Sequence, residues 1–202
     1  MVRPLTAGRV NQKERTRTAI LDAARRLVPS GGEISMPLIA AEARVSEATA
    51  YRYFPDLASL LSEAIAHLWP SASEAMQPVS HVDDPVVRVA HAVRTMLGDV
   101  RDQQGAVRVM MSAAVVRPQG PALRPGRRFA LIDEALSPLT GRRLTAARRR
   151  RIEQLKRDLA IVVSAEAFFN LIDLCGLSPD EAITSVMSTA STLTRSAVRD
   201  LA

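Results

Sequence analysis

Proline and glycine fall at intervals that cut this chain into helix-length pieces, and no alternating run of β-branched residues lies between them. A half-buried sheet needs that alternation, whereas amphipathic helices need apolar residues three and four apart. The pieces carry the helical spacing, so the expected fold class is all-α with about nine helices. The punctuation places them near 12–28, 36–43, 47–53, from 57 to about 69 or beyond Pro70, then 85–99, 103–116, 126–137, 146–174 and 179–200. In the first, Ile20, Ala23, Ala24, Leu27 and Val28 share one face. Ser35, Ser46 and Asp56 precede the next three as N-caps, and Pro37 sits in a first turn where its missing N–H costs nothing. Ser178, Pro179 and Glu181 open the last helix with a capping-box pattern.

At 202 residues, with 47% hydrophobic and 24% charged positions, the chain can bury a core in one mid-sized domain or two small ones. Aromatics are only 3%, so Ala, Leu, Val and Ile must supply that core. The composition excludes collagen, disorder of the whole chain and a disulfide scaffold. The single cysteine, Cys175, has no partner for an internal bridge or a thiolate metal site. The longest apolar stretch, 159–174, is broken by Glu166 and Asp173, so no membrane span is expected. No signal-peptide pattern opens the chain, and the expected location is cytoplasmic, at the nucleoid when bound to DNA.

Charge is unevenly spread. Residues 1–54 hold 9 basic and 5 acidic residues, a net of +4, and 117–157 hold 12 and 3, a net of +9. The remainder holds 6 and 13, a net of −7. A basic N-terminal segment suits a polyanionic partner.

The stretch 35–54 reads as two short helices joined by a tight turn at Ala43-Arg44-Val45. Leu38, Ile39, Val45 and Phe54 are placed to pack these helices on the first one, and Ala40, Ala41 and Ala43 let the backbones approach. That is a helix-turn-helix pattern, whose second helix enters the DNA major groove N-terminus first. Its residues fit the task. Thr49 offers a hydroxyl and a methyl, and Glu47 can accept from cytosine N4. Ser46, Ala48 and Tyr51 stand beside them. Arg52 and Tyr53 can hold phosphate oxygens. Arg17 and a flexible basic arm at 1–11 could reach flanking phosphates or the minor groove.

The series Ile20-Leu21-Asp22-Ala23-Ala24, Gly31/Gly32, Ile39-Ala40, Val45-Ser46-x-x-Thr49-x-Tyr51-x-Tyr53-Phe54 and Leu60-Leu61 resembles the DNA-binding domain of the tetracycline-repressor (TetR/AcrR) family over about 12–61. The resemblance implies a homodimeric transcriptional regulator acting on double-stranded DNA at a palindromic operator. It implies a DNA-binding domain at 12–56 and a helical effector-binding and dimerisation domain at 57–202. It puts Glu47, Ala48, Thr49 and Tyr51 at bases and Arg52 and Tyr53 at backbone. Two positions depart from the pattern. Arg44 stands where the turn often holds Gly, and Leu57 where a phosphate-binding Lys often opens the fourth helix, so Arg44 or Arg52 would have to replace that contact.

In the C-terminal part, Leu155, Leu159 and Val162 on the penultimate helix and Ile183, Val186, Met187, Ala190, Leu193 and Ala197 on the last form stripes that could build a four-helix bundle between two subunits, or close the chain's own core. An effector pocket for an apolar or amphipathic small molecule would lie among helices four to eight, near Trp69, Met96, Met110, Met111, Phe129, Phe168 and Phe169. The run Arg148–Arg151 reads as a solvated helix start or a place for an acidic partner. His67, His81 and His91 lack metal-ligand spacing, and neither a metal nor a cofactor is expected. No catalytic constellation is present, so an enzyme is not expected. The alternatives are a helical small-molecule-binding protein or enzyme with a vestigial DNA-binding motif, and a sequence-tolerant DNA-packaging protein.

Overall fold

The computed structural model describes residues 5–30, 33–66, 68–116, 126–140 and 144–201. Among them all regular structure is helical, in eleven α-helices with three short 3-10 turns. They are α1 (Leu5–Leu27), α2 (Met36–Glu42), α3 (Glu47–Tyr53), α4 (Leu57–Ala66), α5 (Ala72–Met76), α6 (Pro85–Asp102), α7 (Gln104–Val116), α8 (Arg127–Ala135), α9 (Ala146–Val162), α10 (Ala165–Asp173) and α11 (Pro179–Arg199).

Two helices more than expected come from two local signals. Ser71 accepts from the Glu74 N–H at 3.2 Å while the Glu74 carboxylate accepts from the Ser71 N–H at 2.9 Å, a capping box that creates α5. The expected helix 146–174 is broken at Val163-Ser164. Val163 leaves helical geometry (φ −81°, ψ 72°), and the Ser164 hydroxyl caps α10 by accepting from the Ala167 N–H at 3.0 Å. Ser164 is buried, and its hydroxyl also donates to the Ile161 carbonyl, so the break leaves no orphaned hydroxyl. The first helix begins at Leu5, so residues 5–11 of the expected arm are helical, since no proline interrupts the chain between Pro4 and Pro29.

The chain divides into two compact units, Met1–Trp69 with Asp102–Pro125 and Pro70–Arg101 with Gly126–Ala202. α4 and the chain up to Trp69 lie in the first unit, and α7 returns to it. The reason is packing. Ala106 and Met110 of α7 share one core with Ile20, Ala23, Ala24 and Val28 of α1, Ile39 and Ala40 of α2, Ala50 and Phe54 around α3, and Leu60, Leu61, Ala64 and Ile65 of α4. Each fully buried Ile, Leu or Phe side chain there contributes about 2 kcal/mol of transfer free energy.

In the second unit α5 packs on α8, and α11 on α9 and α10. Its buried polar anchor is Arg88 of α6, 5% exposed. The guanidinium donates to the Glu134 carbonyl at 2.6 Å and the Ala135 carbonyl at 3.2 Å, at the C-terminal end of α8. It also donates to the Val79 carbonyl at 2.7 Å and the Ser137 hydroxyl at 3.2 Å. A cation there meets orphaned carbonyls and the negative end of a helix dipole. Between α6 and α8, Arg127 and Asp99 pair at 2.7 Å. Burial pushes the Arg127 guanidinium below its ordinary pKa, against the opposing pull of Asp99.

Candidate nucleic-acid interface

The turn before α3 is a helix C-cap. Ala43 closes α2, the Arg44 N–H donates to the Ala41 carbonyl at 3.0 Å, and the Val45 N–H to the Ala40 carbonyl at 3.0 Å. These are the two bonds of a Schellman motif, with Val45 packed on the core beyond it. The motif puts the intervening residue in the left-handed region, and Arg44 sits there at φ 57°. It is the non-glycine residue with positive φ among those described, and its exposed side chain has no hydrogen bond or ion pair among them. The departure from Gly thus keeps the glycine geometry and adds a cation at the mouth of the turn.

Ser46 then caps α3, accepting from the Thr49 N–H at 3.2 Å and sharing a 2.8 Å hydroxyl contact with Thr49 Oγ1. Ala50 is fully buried and Phe54 nearly so, which fixes the inward face of α3. Helical geometry leaves Glu47, Ala48, Tyr51 and Arg52 exposed on the outward side, with Thr49 half-buried beside them. Tyr51 is 46% exposed, a large apolar ring kept in water with no ring or hydrogen-bond partner among the described residues. Glu47 lies in the first turn, where the helix dipole favours it. Tyr53 differs from the outward set. Its ring is half-buried against the head core, with the Arg52 guanidinium 5.7 Å from its centroid.

Two expectations for this region need correction. Ser35 precedes α2 without a side-chain cap bond. Leu38 is 48% exposed, because Met36, Ile39 and Ala40 occupy the inward face of α2 and position 38 points away from it. Arg17, expected to reach flanking phosphates, is engaged within the chain. Its two terminal nitrogens grip both oxygens of Glu63 on α4 at 2.5 Å each, and its guanidinium lies 4.9 Å over the Phe54 ring. Hydrogen bonding to Glu63 holds the Arg17 pKa above its ordinary value. Asp56 does cap α4, accepting from the Ser59 N–H at 2.7 Å, and Leu57 puts no cation at that helix start.

The residues expected around an effector are divided between the two units. Trp69, Met110 and Met111 belong to the first unit, where Trp69 packs on the head core and Met110 is buried in it. Met96, Phe129, Phe168 and Phe169 belong to the second. Phe168 and Phe169 are buried there with ring centroids 5.5 Å apart, Met96 is half-buried, and Phe129 is 54% exposed. A surface cavity of about 350 Å³ in that unit is lined by other residues, including Val79, Val87, His91, Arg94 and Ser191. His67 lies outside the described residues, as do Arg142 and Arg143.

The expected dimer stripe is largely internal. Leu155, Leu159, Ile183, Val186 and Ala190 are buried within one chain, at the packing of α9 on α11, so they have almost no surface left for a partner. Val162, Met187, Leu193 and Ala197 are half-buried. At the start of α9, Arg148, Arg149 and Arg150 are exposed with no carboxylate in the first turn, and Arg151 donates to the Asp200 carbonyl.

Residues 20–64 match the family described as bacterial regulatory proteins, tetR family. That span holds the inward face of α1, the whole helix-turn-helix and most of α4. The fold matches the crystal structure of a TetR transcriptional regulator from Rhodococcus sp. RHA1 at 16% identity and a TM-score of 0.51, covering 90% of this chain and 97% of that one. No curated protein matches the sequence. The class is a helical DNA-binding transcriptional regulator with an N-terminal helix-turn-helix. Residues 20–64 are thus similar to the tetR-family DNA-binding head, and the chain as a whole shares the fold of that regulator. Among the described residues no helix is long and apolar enough to cross a membrane.

Proposed function

We propose that this chain is a cytoplasmic, homodimeric repressor that binds a palindromic operator and is released by a small molecule. The observation that carries the DNA reading is the outward row of α3. Glu47, Ala48, Tyr51 and Arg52 stay exposed while Ser46, Ala50 and Phe54 pin the helix beneath them. A seven-residue helix held from behind, with a phenol and a cation in water, is built to touch something else. Thr49 and Tyr51 would meet base edges, and Arg52 and Arg44 would meet phosphates.

Two copies would place two such helices one helical turn of DNA apart, about 34 Å. The half-buried Val162, Met187, Leu193 and Ala197 are the part of the C-terminal stripes still able to face a second copy. An effector would act by favouring a dimer whose two helices no longer match successive grooves.

The test is in vitro selection of duplexes from a random pool, followed by binding titrations. A palindrome should emerge, and affinity for it should fall steeply with salt as phosphate contacts release counterions. Thr49→Ala and Tyr51→Ala should each weaken specific binding by about 1–3 kcal/mol. If both bind the selected duplex like the parent, the assignment of α3 is wrong. Sedimentation that returns only monomer removes the dimer.

A further inference from the structure

One guanidinium in the head touches three elements at once. Arg17 stands on α1, its fork closes on Glu63 of α4, and its flat face covers Phe54, the residue that caps the C-terminal end of α3. Phe54 is 2% exposed, and its N–H completes α3 by donating to the Ala50 carbonyl at 2.9 Å. The ion pair is half-shielded, with the two side chains 34% and 37% exposed. A second tie runs parallel to it, from Arg25 Nε to the Ala64 carbonyl at 3.3 Å.

We propose that Arg17 and Glu63 form a latch that fixes the pose of α3, so that Arg17 serves DNA binding as a positioning residue and not as a phosphate ligand. The inference rests on the DNA-binding reading of α3. Both terminal nitrogens of the fork are committed to one carboxylate, so a phosphate contact would have to break two short charge-assisted bonds. Sliding α4 along α1 would break the same bonds and draw the guanidinium off Phe54. Only Arg suits this place, because a Lys ammonium can neither chelate both carboxylate oxygens nor stack flat on a ring.

The two roles predict opposite signs for Glu63. If Arg17 held phosphate, removing the Glu63 charge would free it and tighten binding. As a latch, Glu63→Gln weakens binding although it removes a negative charge from a DNA-binding head. The experiment titrates a fluorescent selected duplex with the full chain over a range of salt, for the parent, Arg17→Lys, Glu63→Gln and the double variant, with helicity of each read by circular dichroism. Each single variant should weaken binding roughly tenfold, and the double variant no more than either, as expected for two ends of one interaction. The slope of affinity against salt should stay at the parent value.

A Glu63→Gln variant that binds as well as the parent or better overturns the latch. So does an Arg17→Lys variant that binds as tightly as the parent, because a Lys ammonium can serve a phosphate but not the latch, and so does a loss of binding that merely follows a loss of helicity. A parent chain that selects no duplex at all is a different failure, because it removes the DNA-binding reading and the latch with it.

Discussion

Arg44→Gly should make the head more stable and its grip on DNA weaker. Arg44 holds φ 57° because the Schellman bonds from its own N–H and from Val45 require a left-handed residue there. For a residue with a Cβ that conformation costs about 1–2 kcal/mol. Glycine removes the cost but adds roughly 0.5–1 kcal/mol of backbone entropy lost on folding. The net is a gain of about 0.5–1 kcal/mol, which in a chain of this size raises the melting temperature by about 1–4 °C. The same change deletes an exposed cation beside the N-terminus of α3. Salt-dependent binding should then lose about 0.9 in slope and weaken uniformly across sequences. Arg44→Asn is the control, since Asn tolerates the left-handed region and is neutral. It should share the binding loss and gain less stability. Thermal melts and anisotropy titrations over a range of salt read both effects. A lower melting temperature for the Gly variant refutes the strain argument, and an unchanged salt slope refutes the place of Arg44 at the duplex.

Three further outcomes follow from particular contacts. Ser46→Ala removes the hydroxyl that caps α3 and should cost about 1 kcal/mol in denaturant unfolding, with weaker DNA binding because Thr49 loses its hydroxyl partner. Arg88→Met strands the carbonyls of Val79, Glu134 and Ala135 and should cost the second unit about 3 kcal/mol, read by chemical denaturation, with no change in the salt slope of DNA binding. Glu181 is held below its ordinary pKa of 4.5 by hydrogen bonds from the Ser178 hydroxyl and then from its backbone N–H. A lowered folded pKa means that the box stabilises fully above pH 4.5 and loses this as pH falls through the folded value. Glu181→Ala should therefore melt lower than the parent at pH 7, with the gap closing well below pH 4.5.

The parts of this fold that sequence periodicity reaches are those where a local rule and the core agree. The inward face of α1, the cap at Ser46, the cap at Asp56 and the box at Ser178 all follow from residues three or four apart. The break before α10 follows the same kind of rule, for Ser164 with Glu166 in the next turn is a helix-start pattern, but a continuous apolar stripe through 152–169 masks it. Ser71 and Glu74 are likewise a readable box, in a stretch to which the helical punctuation assigns no helix of its own. Other features are invisible to any window. Arg17 and Glu63 stand 46 positions apart, so nothing local separates a clamped cation from a free one. Leu38 and Ile39 are neighbours of equal hydrophobicity, and only the rotation of α2 on α1 buries one and exposes the other. The C-terminal stripes show the same limit. Spacing identifies a buried face, but whether its cover is the same chain or a second copy depends on where the next helix lies, and here α11 covers α9.

A helix of seven residues is too short to hold itself in water, so α3 exists because its surroundings hold it. Every group that does so lies behind or at its ends. The Schellman turn delivers the chain, Ser46 satisfies an orphaned N–H, Ala50 fills the core contact and Phe54 closes the C-terminus. None of the outward residues Glu47, Ala48, Tyr51 and Arg52 takes part in that core. Stability and readout are thereby separated on one short helix, and the separation can be measured with a pair of substitutions two positions apart. Ala48→Leu changes the exposed face and should move unfolding free energy by less than about 0.5 kcal/mol while altering which duplex is selected. Ala50→Leu forces three extra carbons into a site that is fully buried and should cost about 1–3 kcal/mol. Equal stability losses from the two would mean that the outward row also supports the fold, and the division of labour along α3 would not hold.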